Sequence, residues 1–277
     1  MSSRCCRLGS ASQTSIRSGA WSIISREPLA HASNEVALGA LSQITDLFGT
    51  RIIPQLAKRG ASRAADALPV AVDVLDDRAL VAEIARVEKD CGLLNGMAPV
   101  IGMATWALLL DCDFETWDTA HRRGLRYFFV AAREVAKHLI ARGSPGSIVC
   151  TASVDGARCA SFHGSCSAAK AGLTNLVKMM TVEWGGPGIR INVVAPSTII
   201  TPRIPHMGEA EAKITERIPM LRRGTVDEIA GVIVFFLSDM VRYICRQTLA
   251  VGGRFLAQYS FGLVPREAGS MIGAETR

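Results

Sequence analysis

A chain of 277 residues, 49% apolar and 20% charged, can bury a large core and is too apolar to be disordered. Its net charge of +6 is scattered in pairs such as Arg122-Arg123 and Arg222-Arg223. That pattern predicts a solvated basic surface and no nucleic-acid partner, which would need a patch or stripe. Eight cysteines at irregular spacing, with no C-x-x-C pair, fit a reducing, cytoplasmic setting better than a disulfide framework, and no apolar run reaches the ~18 residues of a membrane span.

Residues 1–34 are rich in Ser and Arg (Arg4, Arg7, Arg17, Arg26) and hold one acid, Glu27. They are expected to lie outside the fold, as a disordered leader in preference to an organellar targeting segment. The folded domain is expected over 35–253 and a C-terminal extension over 254–277. Val36-Ala37-Leu38 reads as a short strand, Gly39 as the turn after it, and the stretch up to Gly60 as a helix with Ile52, Ile53 and Leu56 at helical spacing. Gly39 and Gly49 stand too far apart for the tight glycine turn that brings backbone N–H groups onto a diphosphate. Residues 69–76 follow as a strand ending in Asp73, 78–89 as an amphipathic helix, and 92–96 as a short strand running into a turn. A long helix is expected over 117–142, with Leu125, Phe128, Ala132, Val135 and Leu139 on one face, stopped by Gly143-Ser144-Pro145-Gly146. Then come a strand over 148–151, a helix over 165–183, a strand over 189–194 closed by Pro196, a helix over Val226–Leu237 and a strand over Thr248–Val251. Continuous apolar strands alternating with helices predict a parallel sheet covered on both faces, a doubly wound, Rossmann-like α/β fold.

Several segments match one pattern in order. Gly146-Ser147-Ile148-Val149 leads to Ser153, and Lys170 lies one helical turn after Cys166 within Ser167-Ala168-Ala169-Lys170-Ala171-Gly172. Asn192-Val193-Val194-Ala195-Pro196, Thr201 and the closing strand Gln247-Thr248-Leu249-Ala250-Val251 complete the set. Together they resemble a short-chain dehydrogenase/reductase, over roughly 35–253. The resemblance implies an NAD(P)-dependent oxidoreductase that interconverts a carbonyl and a secondary alcohol on a small molecule, with NAD or NADP as cofactor. It implies catalytic roles for Ser153, Cys166 and Lys170, and cofactor contacts at Gly39, Asp73, Asn95, Lys170, Pro196 and Thr201. The two long helices resemble those that pair subunits in that family, so a homodimer or homotetramer is expected.

In the family a Tyr stands where this chain has Cys166. An i, i+4 spacing puts acid and Lys on one helix face, and a cationic Lys favours the ionised neighbour, so Lys170 is expected to lower the Cys166 pKa. The thiol nevertheless ends several ångströms short of a phenol oxygen, whereas proton transfer needs an approach of about 3 Å. The family's helix Asn corresponds to Gly124, and its Asn-Asn-Ala-Gly turn to Asn95-Gly96-Met97-Ala98. The stretch between Gly60 and Val70 is too short for the ~30 residues of a βαβ unit, so the second βα unit is expected to be reduced. The alternative reading is a catalytically inactive member serving as a binding or oligomerisation module. Two further constellations carry less: a thiol nucleophile at Cys166 with His163 beside it, and a metal site of Cys159, His163 and Cys166, which lacks a second matching pair.

Overall fold

A computed structural model of the protein describes residues 20–25, 67–91, 94–101, 106–201 and 204–257. The strands are β1 (Ala20–Ser25), β2 (Ala67–Val72), β3 (Gly96–Pro99), β4 (Gly146–Thr151), β5 (Ile189–Pro196) and β6 (Thr248–Val251), in sheet order β2-β1-β3-β4-β5-β6. The helices are α1 (Asp77–Cys91), α2 (Phe114–His121), α3 (Tyr127–Ala141), α4 (Gly164–Trp184), α5 (Glu209–Thr215) and α6 (Val226–Leu237). From β3 to β6 every ladder is parallel, whereas β1 runs antiparallel to both β2 and β3.

Both faces of β4 and β5 are buried, as their apolar runs require, whereas the edge strand β6 is largely exposed. Ile148, Cys150, Ile191 and Val193 point to one side, where α1, α3 and α4 supply Ile84, Phe128, Leu139 and Leu173. Val149 and Val194, on the alternate positions, meet Val226, Ile229, Ile233 and Phe236 of α6. This is the doubly wound arrangement. Among the described residues no helix is long and apolar enough to cross a membrane.

Three expectations are corrected. Ala20–Ser25, placed in a leader outside the fold, is a strand inside the sheet; its run Ala-Trp-Ser-Ile-Ile-Ser is aromatic and β-branched, the composition that suits a pleated surface. The strand expected over 92–96 instead occupies Gly96–Pro99, every residue buried. The helix expected over 117–142 begins earlier, where the Asp113 carboxylate accepts from the Thr116 N–H at 2.6 Å, and is interrupted by a π-helical turn, Arg122–Arg126. Gly124 lies in that turn, and a Cβ on it would come 2.8 Å from the Cβ of Ala169 on α4. The strand and helix expected over 36–60, Gly39 included, lie outside the described residues.

Candidate active site

Parallel strands end at one edge of the sheet, and the crevice beyond their carboxyl ends is where open α/β folds bind ligands. Here β4 runs through Thr151 to Ser153, which caps a 3₁₀ turn, Val154–Gly156, its hydroxyl oxygen accepting from the Asp155 N–H at 3.1 Å. The Ser153 O–H proton remains free for another acceptor. The ends of β4, β5 and β6 converge: a Cβ on Gly252 would stand 3.0 Å from Ser197 and 3.6 Å from Val154.

The 3₁₀ turn rests directly on α4. A Cβ on Gly156 would lie 2.9 Å from the carbonyl carbon of Lys170 and 3.0 Å from its oxygen, so only glycine permits this approach. Lys170 is 4% exposed. Its Nζ donates to the carbonyl oxygens of Thr151, at 2.9 Å, and Ile101, at 3.2 Å, joining the ends of two adjacent strands. Two carbonyls leave one of three N–H donors available. Burial drives the Lys170 pKa below the usual lysine range, with the thiols of Cys150 and Cys166 partly opposing. The Thr151 hydroxyl is buried with no partner.

Cys166 is half-buried on the first turns of α4. Contrary to expectation, its thiol is pushed up rather than down: burial outweighs the pull of Lys170, and Asp155 adds to the rise. A nucleophilic thiolate is therefore disfavoured. Behind it, Cys150 is fully buried and pushed up to about 12, and the fully buried Tyr127 phenol is driven well above its ordinary range.

Of the other residues singled out, Pro196 ends β5 at the same edge, and Thr201 closes a turn by accepting from the Ile204 N–H at 3.1 Å. Asp73 follows β2, and its carboxylate accepts from the Leu75 N–H at 3.0 Å, a turn-closing role. Asn95 lies elsewhere. It precedes β3, its carbonyl accepts from the N–H of Ser147 at the start of β4, and its side chain accepts from Arg142 at 3.3 Å. It thus sits at the amino ends of the strands, across the sheet from Ser153. The pocket end of β3 is Val100-Ile101, so the Asn95-Gly96-Met97-Ala98 match is corrected.

Two residues without a motif join the site. His163 precedes α4 with both ring nitrogens buried and lacking a hydrogen-bond partner; its Nδ1 is 3.5 Å from the Asp155 carboxylate. Trp106 packs edge-on against the imidazole, ring centroids 4.4 Å apart. No sequence motif announces them, because a loop brings them together. Among the described residues no group of three or more His, Cys, Asp or Glu could hold a metal ion.

A family model described as Enoyl-(Acyl carrier protein) reductase matches residues 30–253. L-xylulose reductase of Mus musculus is 33% identical over 195 residues, spanning 68% of this chain and 77% of its own. Inactive 2-(S)-hydroxypropyl-CoM dehydrogenase 2 of Xanthobacter autotrophicus is 29% identical, spanning 72% and 90%. A gluconate 5-dehydrogenase from Burkholderia cenocepacia J2315, solved in complex with NADP and tartrate, superposes with a TM-score of 0.64 at 27% identity, over 68% of this chain and 74% of that one. The chain is a Rossmann-like α/β protein of the oxidoreductase class. It belongs to the short-chain dehydrogenase/reductase family.

Proposed function

We propose that the protein is an NAD(P)-dependent oxidoreductase interconverting a carbonyl and a secondary alcohol on a small molecule. The observation that carries this reading is Lys170, buried at the strand ends with one donor unspent, on the helix against which the Ser153 turn packs. Those groups fit the hydroxyl-bearing ribose and nicotinamide end of a dinucleotide. The relatives support the same class: one is an L-xylulose reductase and one structure holds NADP. When bound, the nicotinamide supplies or accepts the hydride. Lys170 would hold the adjoining ribose and its charge would favour anionic oxygen nearby, while the O–H of Ser153 would polarise the substrate oxygen.

A second reading, a family member that binds without turnover, draws on Cys166 and Gly124, neither of which supplies the phenol or amide of the family pattern. One relative carries the word inactive in its name, which supports this reading. Fluorescence titration with NADH and NADPH decides between these readings when followed by assay on a panel of carbonyls. Saturable binding weakened by Lys170→Met, with turnover, is the expected result. Binding without turnover supports the second reading, and no binding at millimolar cofactor overturns the first. Cys166→Tyr is expected to raise the reductase rate.

The pairing of two copies rests on the α2–α4 side of the molecule. A groove of about 760 Å³ runs there between Arg122, Leu125, Phe129, Leu176 and Met179, with Phe129, Met179 and Val182 exposed. Exposed apolar residues along such a groove suit an interface. Size-exclusion with light scattering checks this: a monomer of about 30 kDa across micromolar concentrations refutes it.

A further inference from the structure

We propose that His163, held by Asp155, exchanges the substrate proton in place of Cys166. This deepens the oxidoreductase reading and rests on it. The imidazole is unusually placed for a structural residue. Its side chain is 16% exposed, both nitrogens are buried, and neither makes a hydrogen bond. A neutral imidazole carries one donor and one acceptor, and leaving such groups buried and unmatched carries the full desolvation penalty of each. That cost is tolerated most readily where a ligand completes the bonds.

The ring is also held from several directions. Phe162, the residue before it, adopts the left-handed region at φ 67°, where a non-glycine residue is strained, and its carbonyl accepts from the Ala107 N–H at 3.0 Å. Trp106 covers one side of the imidazole. Asp155 reaches Nδ1 at 3.5 Å, and its own N–H is tied to the Ser153 hydroxyl oxygen. Ser153 and His163 therefore both contact Asp155, the first through its backbone N–H and the second through its carboxylate. A gap of 3.5 Å is too long for a good hydrogen bond, but catalytic contacts in ligand-free sites commonly tighten on binding. With Nδ1 directed at Asp155, Nε2 is left for the substrate. The charged and titratable groups around the ring are Asp155 on the 3₁₀ turn and Cys166 and Lys170 along α4; the 106–110 segment presents only Trp106 and leucines.

In the reducing direction the incoming hydride forms a C–H bond at the carbonyl carbon and the C=O π pair moves onto oxygen. That oxygen takes the proton from Nε2–H of the imidazolium, which becomes neutral imidazole. Water returns the proton, and the Asp155 side chain holds the ring in place. His163 is thus a catalytic residue and Asp155 a positioning residue.

Two measurements test this. The first is the split between kcat and KM in Asp155→Asn: loss of a positioning contact should lower kcat by about tenfold or more, leave KM and cofactor binding by fluorescence intact, and be partly recovered in Asp155→Glu. The second is His163→Gln, which should lower kcat by about 10²-fold or more and leave cofactor binding by fluorescence intact. A fall of less than about threefold in kcat for His163→Gln, far short of the factor for a lost acid–base group, overturns the role. An Asp155→Asn variant with unchanged kcat does the same, as does cofactor binding without turnover on any carbonyl. A chain that binds no cofactor overturns the oxidoreductase reading itself, a separately legible failure.

Discussion

Replacing Gly124 by alanine should destabilise the protein even though it removes a glycine from a helical segment. In an unobstructed helix the exchange gains about 0.5–1 kcal/mol. Here the added Cβ would stand 2.8 Å from the Cβ of Ala169, against the ~3.5–4.0 Å of an ordinary carbon–carbon contact. Neither atom can rotate away, since each is attached directly to a backbone. The π turn and α4 must therefore separate by roughly 1 Å to restore contact distance. Overpacking of this kind costs about 1–3 kcal/mol, and the net loss after the helix gain is about 1 kcal/mol at the midpoint and at most about 2.5 kcal/mol. For a domain of this size that lowers Tm by about 2–5 °C at the midpoint and at most about 10 °C. Circular dichroism melts and urea titrations measure it, and the double variant Gly124→Ala/Ala169→Gly isolates the contact, with an expected coupling of about 1–3 kcal/mol. A single variant as stable as the parent, or a double variant whose loss is the sum of its parts, would refute the reasoning. Gly124→Asn, which restores the family's residue, should do worse still unless the π turn rearranges.

Iodoacetamide at neutral pH should modify exposed Cys159 well before Cys166, whose buried thiol is held above the ordinary value of 9.0; the rate at Cys166 should still be climbing beyond pH 9, and peptide mass spectrometry that finds it labelled first would contradict this. Thr225→Ala should cost about 0.5–2 kcal/mol by urea titration, because the Thr225 hydroxyl and the Glu228 carboxylate form a capping box at the start of α6. Glu228 is lowered from 4.5 to about 2, first by Arg222 and then by the Thr225 N–H. A depressed carboxylate stabilises the fold above its unfolded pKa and loses that contribution as pH falls toward about 2. Glu228→Gln should therefore flatten the urea midpoint between pH 5 and pH 2, only modestly because the side chain is 40% exposed and screened by salt. An unaltered acid limb would show that the pair contributes nothing.

Where a segment's hydrophobic run is bounded by unambiguous stops, its place in the fold was legible. Val226–Leu237 and Thr248–Val251 fall where periodicity puts them, and α4 and β4 within two residues. Ser153, Lys170 and Pro196 were singled out through the family resemblance; the structure places Ser153 just after β4, Pro196 at the end of β5, and Lys170 of α4 in a bond to the Thr151 carbonyl. Three features were not legible. The run Trp21-Ser22-Ile23-Ile24 sits in Ser- and Arg-rich surroundings, and its partners at 67–72 and 96–99 lie far along the chain, so no local pattern reveals it. From Leu94 to Ile101 the chain is almost wholly apolar, which lets a short turn motif slide along it; the bond between Ser147 N–H and Asn95 carbonyl, a tertiary contact, sets the register. The sign of the Cys166 shift depends on burial depth, which a charge at i+4 cannot convey.

The departures from the family pattern are mechanically joined through α4. Gly124 admits Ala169 on one side of that helix, and Gly156 admits the Lys170 backbone on another, both at distances no larger residue tolerates. Neighbouring positions clamped this way leave α4 little freedom to slide or turn. Its amino end is fixed in turn by the Phe162 carbonyl and by Leu109 packed against Gly164. A helix so seated presents a short, desolvated thiol at Cys166, and at its very start a His163 ring facing Asp155. Restoring one family residue in isolation, whether a phenol at position 166 or an amide at position 124, therefore acts on a pocket whose walls are tied together through α4. The side chain that lies beside the Ser153 turn with unmatched polar atoms is the imidazole, and the chemistry of this pocket turns on what completes its bonds.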